Sequence, residues 1–118
     1  MTAFATDRET ARVVFDPATV ALVGASPDER KYSSFPQRYL AQHGYKGTVY
    51  PINPGRDEVL GLRAYPTVQA IGKPVDHAFI MLPTALVEGA VRDCAAAGVR
   101  CVTILSNGFA EAGPAGRL

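Results

Sequence analysis

Four short apolar runs constrain the fold of this chain more than any other feature: Val20–Val23, Thr48–Ile52, His77–Leu82 and Val99–Leu105. None shows the strict apolar/polar alternation of a half-exposed strand. Each stops at turn formers, namely Gly24-Ala25-Ser26-Pro27, Asn53-Pro54-Gly55, Pro83 and Ser106-Asn107-Gly108. Such runs describe strands buried on both faces, as in parallel sheets covered by helices on either side.

Helical patterns fall between the runs. Ser34-Phe35-Pro36-Gln37 opens one helix, with Ser34 placed to cap, Pro36 in the first turn and Gln37 placed to reach back to the cap. Phe35, Tyr39 and Leu40 share a face of it, and Gly44 stops it after His43. Thr84 caps a second helix, in which Leu86, Val87, Ala90, Val91 and Cys94 recur at the 3.6-residue period until Gly98. Between them, residues 56–74 give only short pieces: a helical turn near Asp57–Leu60, a strand at Arg63–Tyr65 and a turn near Val68–Ile71. Strands alternating with helices predict an α/β fold, a Rossmann-like doubly wound parallel sheet with right-handed crossovers.

The length, 118 residues, has room for one such domain but not for a second, catalytic one. Residues 1–14 are polar without a clear period and are expected to form a loose N-terminal arm before a domain over 15–118. Twelve Lys plus Arg against eleven Asp plus Glu leave too little net field to hold nucleic acid or an anionic membrane, so neither is an expected partner. Any anion must be bound locally. No apolar run approaches the ~20 residues of a bilayer span, and Asp7, Arg8, Glu9 and Arg12 are unlike a signal peptide, which predicts a cytoplasmic chain. Cys94 and Cys101 lack the spacing of a metal knuckle or redox pair and read as reduced packing thiols.

In open α/β sheets, ligands bind outside the carboxyl ends of the strands. That brings together the turns Gly24–Ser26, Asn53–Arg56, Leu82–Thr84 and Ser106–Gly108. Gly24 lets a ligand approach the backbone, and the helix opening at Ser34 offers N–H groups and the positive end of its dipole. Arg30 and Lys31 would add charge; the plainer alternative is that Ser34 only caps and both cations are solvated. The three-glycine dinucleotide fingerprint is absent, and Arg56 stands where an acidic residue would hold a ribose. A cation there suits a phosphorylated ribose, which leaves NADP and coenzyme A open, unless Arg56 merely pairs with Asp57 or Glu58. His43 and His77 have no partner spaced for a triad or a metal site, so they read as structural, and neither a catalytic residue nor a metal is expected.

A wider pattern joins these residues. Phe15-Asp16-Pro17, Val23-Gly24-Ala25-Ser26, His43-Gly44-Tyr45-Lys46-Gly47, Tyr50-Pro51-Ile52-Asn53-Pro54, Glu58-Val59-Leu60-Gly61, Tyr65-Pro66, Pro74-Val75-Asp76 and Gly108-Phe109-Ala110-Glu111 occur in order. Together, from residue 15 to 113, they closely resemble the N-terminal CoA-binding domain of the NDP-forming acyl-CoA synthetases. That family includes ADP-forming acetate–CoA ligases and is related to the succinyl-CoA synthetase alpha subunit.

The resemblance implies coenzyme A as ligand. It implies that Gly24, Ala25, Ser26 and the loop through Lys31 border the pyrophosphate. Asn53, Pro54 and Arg56 would lie near the adenosine and its phosphate, and Leu82, Pro83, Ser106, Asn107 and Gly108 would line the remaining wall. Ser33-Ser34 departs from the Gly pair of many relatives, so hydroxyls there would either donate to the ligand or crowd it. The family's reaction runs through a phosphohistidine on a later domain and an ATP-grasp module, and neither fits in this length. The chain alone is therefore expected to bind CoA or acyl-CoA without catalysis, with the remaining synthetase domains or subunit as partners. An NADP-binding domain of an oxidoreductase and a standalone CoA-binding or interaction module are the alternatives. In a complete relative, Glu111–Leu118 would begin a further crossover helix, so the domain reads as truncated at its C-terminal edge. Val99–Leu105 is then expected to be poorly covered, an edge open to pairing with another copy.

Overall fold

The computed structural model of the chain describes the backbone of residues 3–105 and the side chains of residues 8–105. The described residues begin with helix α1 (Ala3–Phe15), then β1 (Thr19–Val23), a 3-10 turn (Tyr32–Ser34) that runs into α2 (Phe35–Gln42), and β2 (Thr48–Ile52). A hairpin of β3 (Glu58–Val59) and β4 (Leu62–Arg63) follows, then β5 (His77–Ile80), α3 (Thr84–Ala96) and β6 (Cys101–Ile104). The four long strands form one parallel sheet in the order β2-β1-β5-β6. This is the Rossmann-like α/β architecture that the apolar runs predict.

β1 shows why those runs lack alternation. Ala21 and Val23 pack with Tyr50, Ile52, Ala78, Ile80 and the α3 residues Val87, Ala90 and Cys94. Val20 and Leu22 point to the opposite face, into a second core with Ala25, Val59, Ala64 and Met81, against which Leu40 and Tyr45 pack. Both faces of the strand are dry from Val20 to Val23, so all four of those positions are apolar. Burying each such Val or Leu side chain stabilises by about 1.5–3 kcal/mol relative to exposure.

Four local expectations are corrected. Residues expected as a loose arm form α1, because Arg12 pairs with Asp76 at 2.9 Å and the Val13 carbonyl accepts a bond from His77 Nδ1 at 3.0 Å. Those partners lie more than sixty residues away, beyond the reach of local pattern. The helical turn expected at Asp57–Leu60 is instead β3 and the start of a tight hairpin turn. Leu60 (φ 50°) and Gly61 (φ 83°) both take the left-handed region, which such a turn requires of its two central residues.

The cap of α2 also differs. Ser34 and Gln37 do not close a reciprocal capping pair, because the preceding 3-10 turn already bonds the Ser34 N–H to the Lys31 carbonyl at 3.1 Å. The Gln37 side chain instead donates to the Val59 carbonyl at 2.8 Å, fastening the hairpin to α2. Finally, Pro83 is the N-cap of α3 and Thr84 its first residue, while Leu86, counted on the buried stripe, is 56% exposed.

β6 stands at the edge of the sheet, and among the described residues β5 is its strand neighbour on one side only. None of Cys101–Ile104 is buried.

Candidate functional site

From β1 the chain steps to β2 on one side, then crosses back to β5 on the other. The order reverses between β1 and β5, and in open parallel sheets ligands sit in the crevice outside that point. Gly24 follows β1 there with φ 95°, and its N–H bonds the Ile52 carbonyl at 3.1 Å. A Cβ at Gly24 would collide with the Met81 carbonyl oxygen beyond β5. The glycine thus allows the two central strands to end side by side.

A cleft of about 890 Å³ opens over these strand ends. Gly24, Ala25, Ser26, Lys31, Asn53, Arg56, Leu82 and Pro83, all singled out from the sequence, line it together. Two others lie elsewhere. Pro54 borders a smaller apolar groove of about 350 Å³, on whose rim Gly24, Leu82 and Leu86 also lie. Ser34 is fully buried, its hydroxyl donating to the Lys31 carbonyl at 3.1 Å and accepting from Arg38 Nε at 3.2 Å. Its neighbour Ser33 lines the cleft instead. Ser106, Asn107 and Gly108 lie outside the described residues.

The charges of the cleft divide into paired and unpaired. Arg30 grips Asp28 through Nε (3.1 Å) and a terminal guanidinium nitrogen (3.2 Å), and its backbone N–H donates to the same carboxylate at 3.0 Å. These bonds, side chain first and then backbone, hold the Asp28 carboxyl below its ordinary value. Arg30 is therefore largely neutralised by its own loop. Among the described residues, Lys31 and Arg56 form no ion pair, and Arg56 does not engage Asp57 or Glu58. Both are exposed cations on the rim of one cleft, on opposite loops.

Sequence reasoning missed Tyr32 and Met81 as lining residues, and it named Thr84 only as part of the turn Leu82–Thr84. Thr84 matters most, because it places the N-terminus of α3, with no acidic residue in its first turn, at the cleft. A helix N-terminus presents backbone N–H groups and partial positive charge to an anion. In the sequence, Pro83 followed by the apolar stripe marks both a turn of the site and the start of this helix, but the dipole is assigned there to α2. The helix named for this role, α2, begins behind the buried Ser34.

A family model described as CoA binding domain matches residues 18–113. The chain belongs to the CoA-binding domain family. Acetate–CoA ligase [ADP-forming] II of Archaeoglobus fulgidus is 37% identical to this CoA-binding domain over 105 residues, 89% of this chain and 16% of that protein. The alpha subunit of acetate–CoA ligase [ADP-forming] I of Pyrococcus furiosus is 35% identical over 108 residues, 88% of this chain and 23% of the subunit. Among solved structures, the dinucleotide-forming acetyl-coenzyme A synthetase 1 of Ca. Korarchaeum cryptofilum, in complex with phosphate and ADP, superposes with a TM-score of 0.82 at 42% identity. It is covered over 23% of its length by 89% of this chain. The CoA-binding domain described here thus spans a quarter or less of each of these proteins.

Proposed function

We propose that this chain binds coenzyme A through its 3′-phospho-ADP moiety, as the nucleotide-binding domain of an ADP-forming acid–CoA ligase, and is not catalytic alone. The observation that carries the reading is the pairing pattern of the cleft. A close-approach glycine, two cations without ion-pair partners among the described residues and the start of α3 share one cavity. Gly24, Ala25, Ser26 and Lys31 receive the pyrophosphate, Arg56 the 3′-phosphate, and Leu82 with Pro83 guides the pantetheine arm.

Neither histidine serves this cleft. His77 sits at the opposite end of the sheet, bonded to Val13 and, at 2.6 Å, to the Thr103 hydroxyl. His43 stacks on Tyr39 at the end of α2, with ring centroids 4.1 Å apart. Acid activation is left to the other synthetase domains or subunit, which are the protein partners in this reading. The free thiols of Cys94 and Cys101 fit the reducing cytoplasm to which we assign the chain.

Thermal unfolding with added ligand tests the proposal. CoA at a hundredfold over its dissociation constant should stabilise by about 2.7 kcal/mol, with dephospho-CoA weaker at equal concentration. No shift at millimolar CoA overturns it, and a shift with NADPH but not CoA favours the oxidoreductase alternative.

A further inference from the structure

Asn53 and Arg56 border the same cleft, three residues apart, yet their polar groups are in opposite states. Each of the four polar groups of Asn53 makes one hydrogen bond within the protein. Its backbone N–H donates to the Tyr65 carbonyl at 2.9 Å, and its carbonyl accepts from the Arg56 N–H at 3.3 Å. Its side-chain Nδ2 donates to the Ala25 carbonyl at 3.0 Å, while Oδ1 accepts from the Gly55 N–H at 2.8 Å. Ala25 needs a donor and Gly55 an acceptor, so the orientation of the amide is determined by its partners. The Arg56 guanidinium has no such engagement among the described residues.

We propose that Asn53 is a positioning residue: it ties the loop after β1 to the loop after β2 and thereby holds Arg56 where the ligand's 3′-phosphate arrives. This inference rests on the CoA reading above and replaces direct contact between the Asn53 side chain and the adenosine. The physical reason is reach. Arg56 is exposed, and a long side chain on an unanchored turn spends its rotamer freedom when it binds. The Oδ1–Gly55 bond closes an Asx turn that sets the backbone direction at Arg56, and the Nδ2–Ala25 bond fixes that turn relative to the pyrophosphate end of the cleft. A preset distance between the two loops selects a ligand whose two phosphate groups are separated by a ribose.

Calorimetric affinities for CoA and dephospho-CoA, measured on the intact chain and its variants, test the proposal. In the wild type, CoA should bind roughly ten- to hundredfold tighter than dephospho-CoA, the range of a charge-assisted hydrogen bond. Arg56→Ala should bring that ratio near one. Asn53→Ala should lower the ratio although Arg56 is present, and the double variant should be no worse for CoA than Arg56→Ala alone. Asn53→Ser, which keeps an acceptor for the Gly55 N–H, should retain more of the ratio and is the safer variant for folding. Amide exchange at Gly55, without ligand, should speed up in Asn53→Ala and less in Asn53→Ser.

An Asn53→Ala variant that loses affinity for both ligands equally, leaving the ratio intact, means direct contact or general destabilisation and overturns the proposal. A wild type that binds CoA without preferring it over dephospho-CoA overturns the role of Arg56 and this inference with it. A wild type that binds neither ligand refutes the CoA reading itself, a failure distinct from the other two.

Discussion

The two ends of the parallel sheet carry similar residues in different states. At the end where the strands begin, Arg12 bonds Glu9 (2.7 Å) and Asp76 (2.9 Å), Arg100 bonds Glu9 (2.7 Å), and the Ala18 N–H donates to Asp76 (2.8 Å). At the end where the strands stop, Lys31 and Arg56 have no ion-pair partners among the described residues and border a cleft. One set of cations holds α1 to the sheet; the other is available to a ligand. Unpaired cations contribute little to stability, so their cost at the cleft is small and their use lies in binding.

The largest expected effect breaks the cleft end through its backbone. Gly24→Ala should destabilise by on the order of 3 kcal/mol, because φ 95° and the Met81 carbonyl both oppose a Cβ. Urea unfolding checks this, and a variant as stable as the wild type refutes the account of how β1 and β5 end together.

Asp76→Asn breaks the other end and should cost about 1–2 kcal/mol at neutral pH, since the amide keeps shape but not charge. The effect has a pH signature. Hydrogen bonding from Arg12, partly offset by burial, holds the Asp76 carboxyl below its ordinary value of 3.8. A depressed carboxyl stabilises the fold above that ordinary value and loses its contribution as pH falls through the folded value. The gap in melting temperature between wild type and Asp76→Asn should therefore close in acid. A gap that persists well below 3.8 contradicts the ion-pair account.

The smallest effects on stability sharpen the comparison within the cleft. Arg30→Ala and Arg56→Ala should each change unfolding free energy by no more than about 0.5 kcal/mol. Their effects on CoA affinity should differ: roughly tenfold or more for Arg56, and about two- to threefold for Arg30, whose charge Asp28 already offsets. Equal losses would show that the Asp28 pair does not matter.

The same division governs what is legible in the sequence. The sheet, its strands and the converging turns follow from the apolar runs, because burial on both faces leaves a direct mark on composition. The hairpin does not: Val59 is buried by long-range packing, and Leu60 adopts a left-handed conformation that residue type does not advertise. α1 is missed because its anchors, Asp76 and His77, lie far along the chain. Within the site, Gly24 and Arg56 are readable from position alone, since a turn after a first strand and a cation after a second carry meaning in this fold. Ser34 is misread because a hydroxyl at a helix start looks the same whether it faces the ligand or the interior. Tyr32 and Met81 are overlooked because their place in the cleft depends on which loops come together in space.

Mapping backbone amide shifts of the chain as CoA is added tests the central claim most directly. The account predicts saturable changes at Gly24, Ser26, Lys31, Gly55, Arg56 and Thr84, with Arg12, Asp76 and Arg100 unmoved. Changes concentrated at the Arg12–Asp76 end, or none at millimolar CoA, would contradict it.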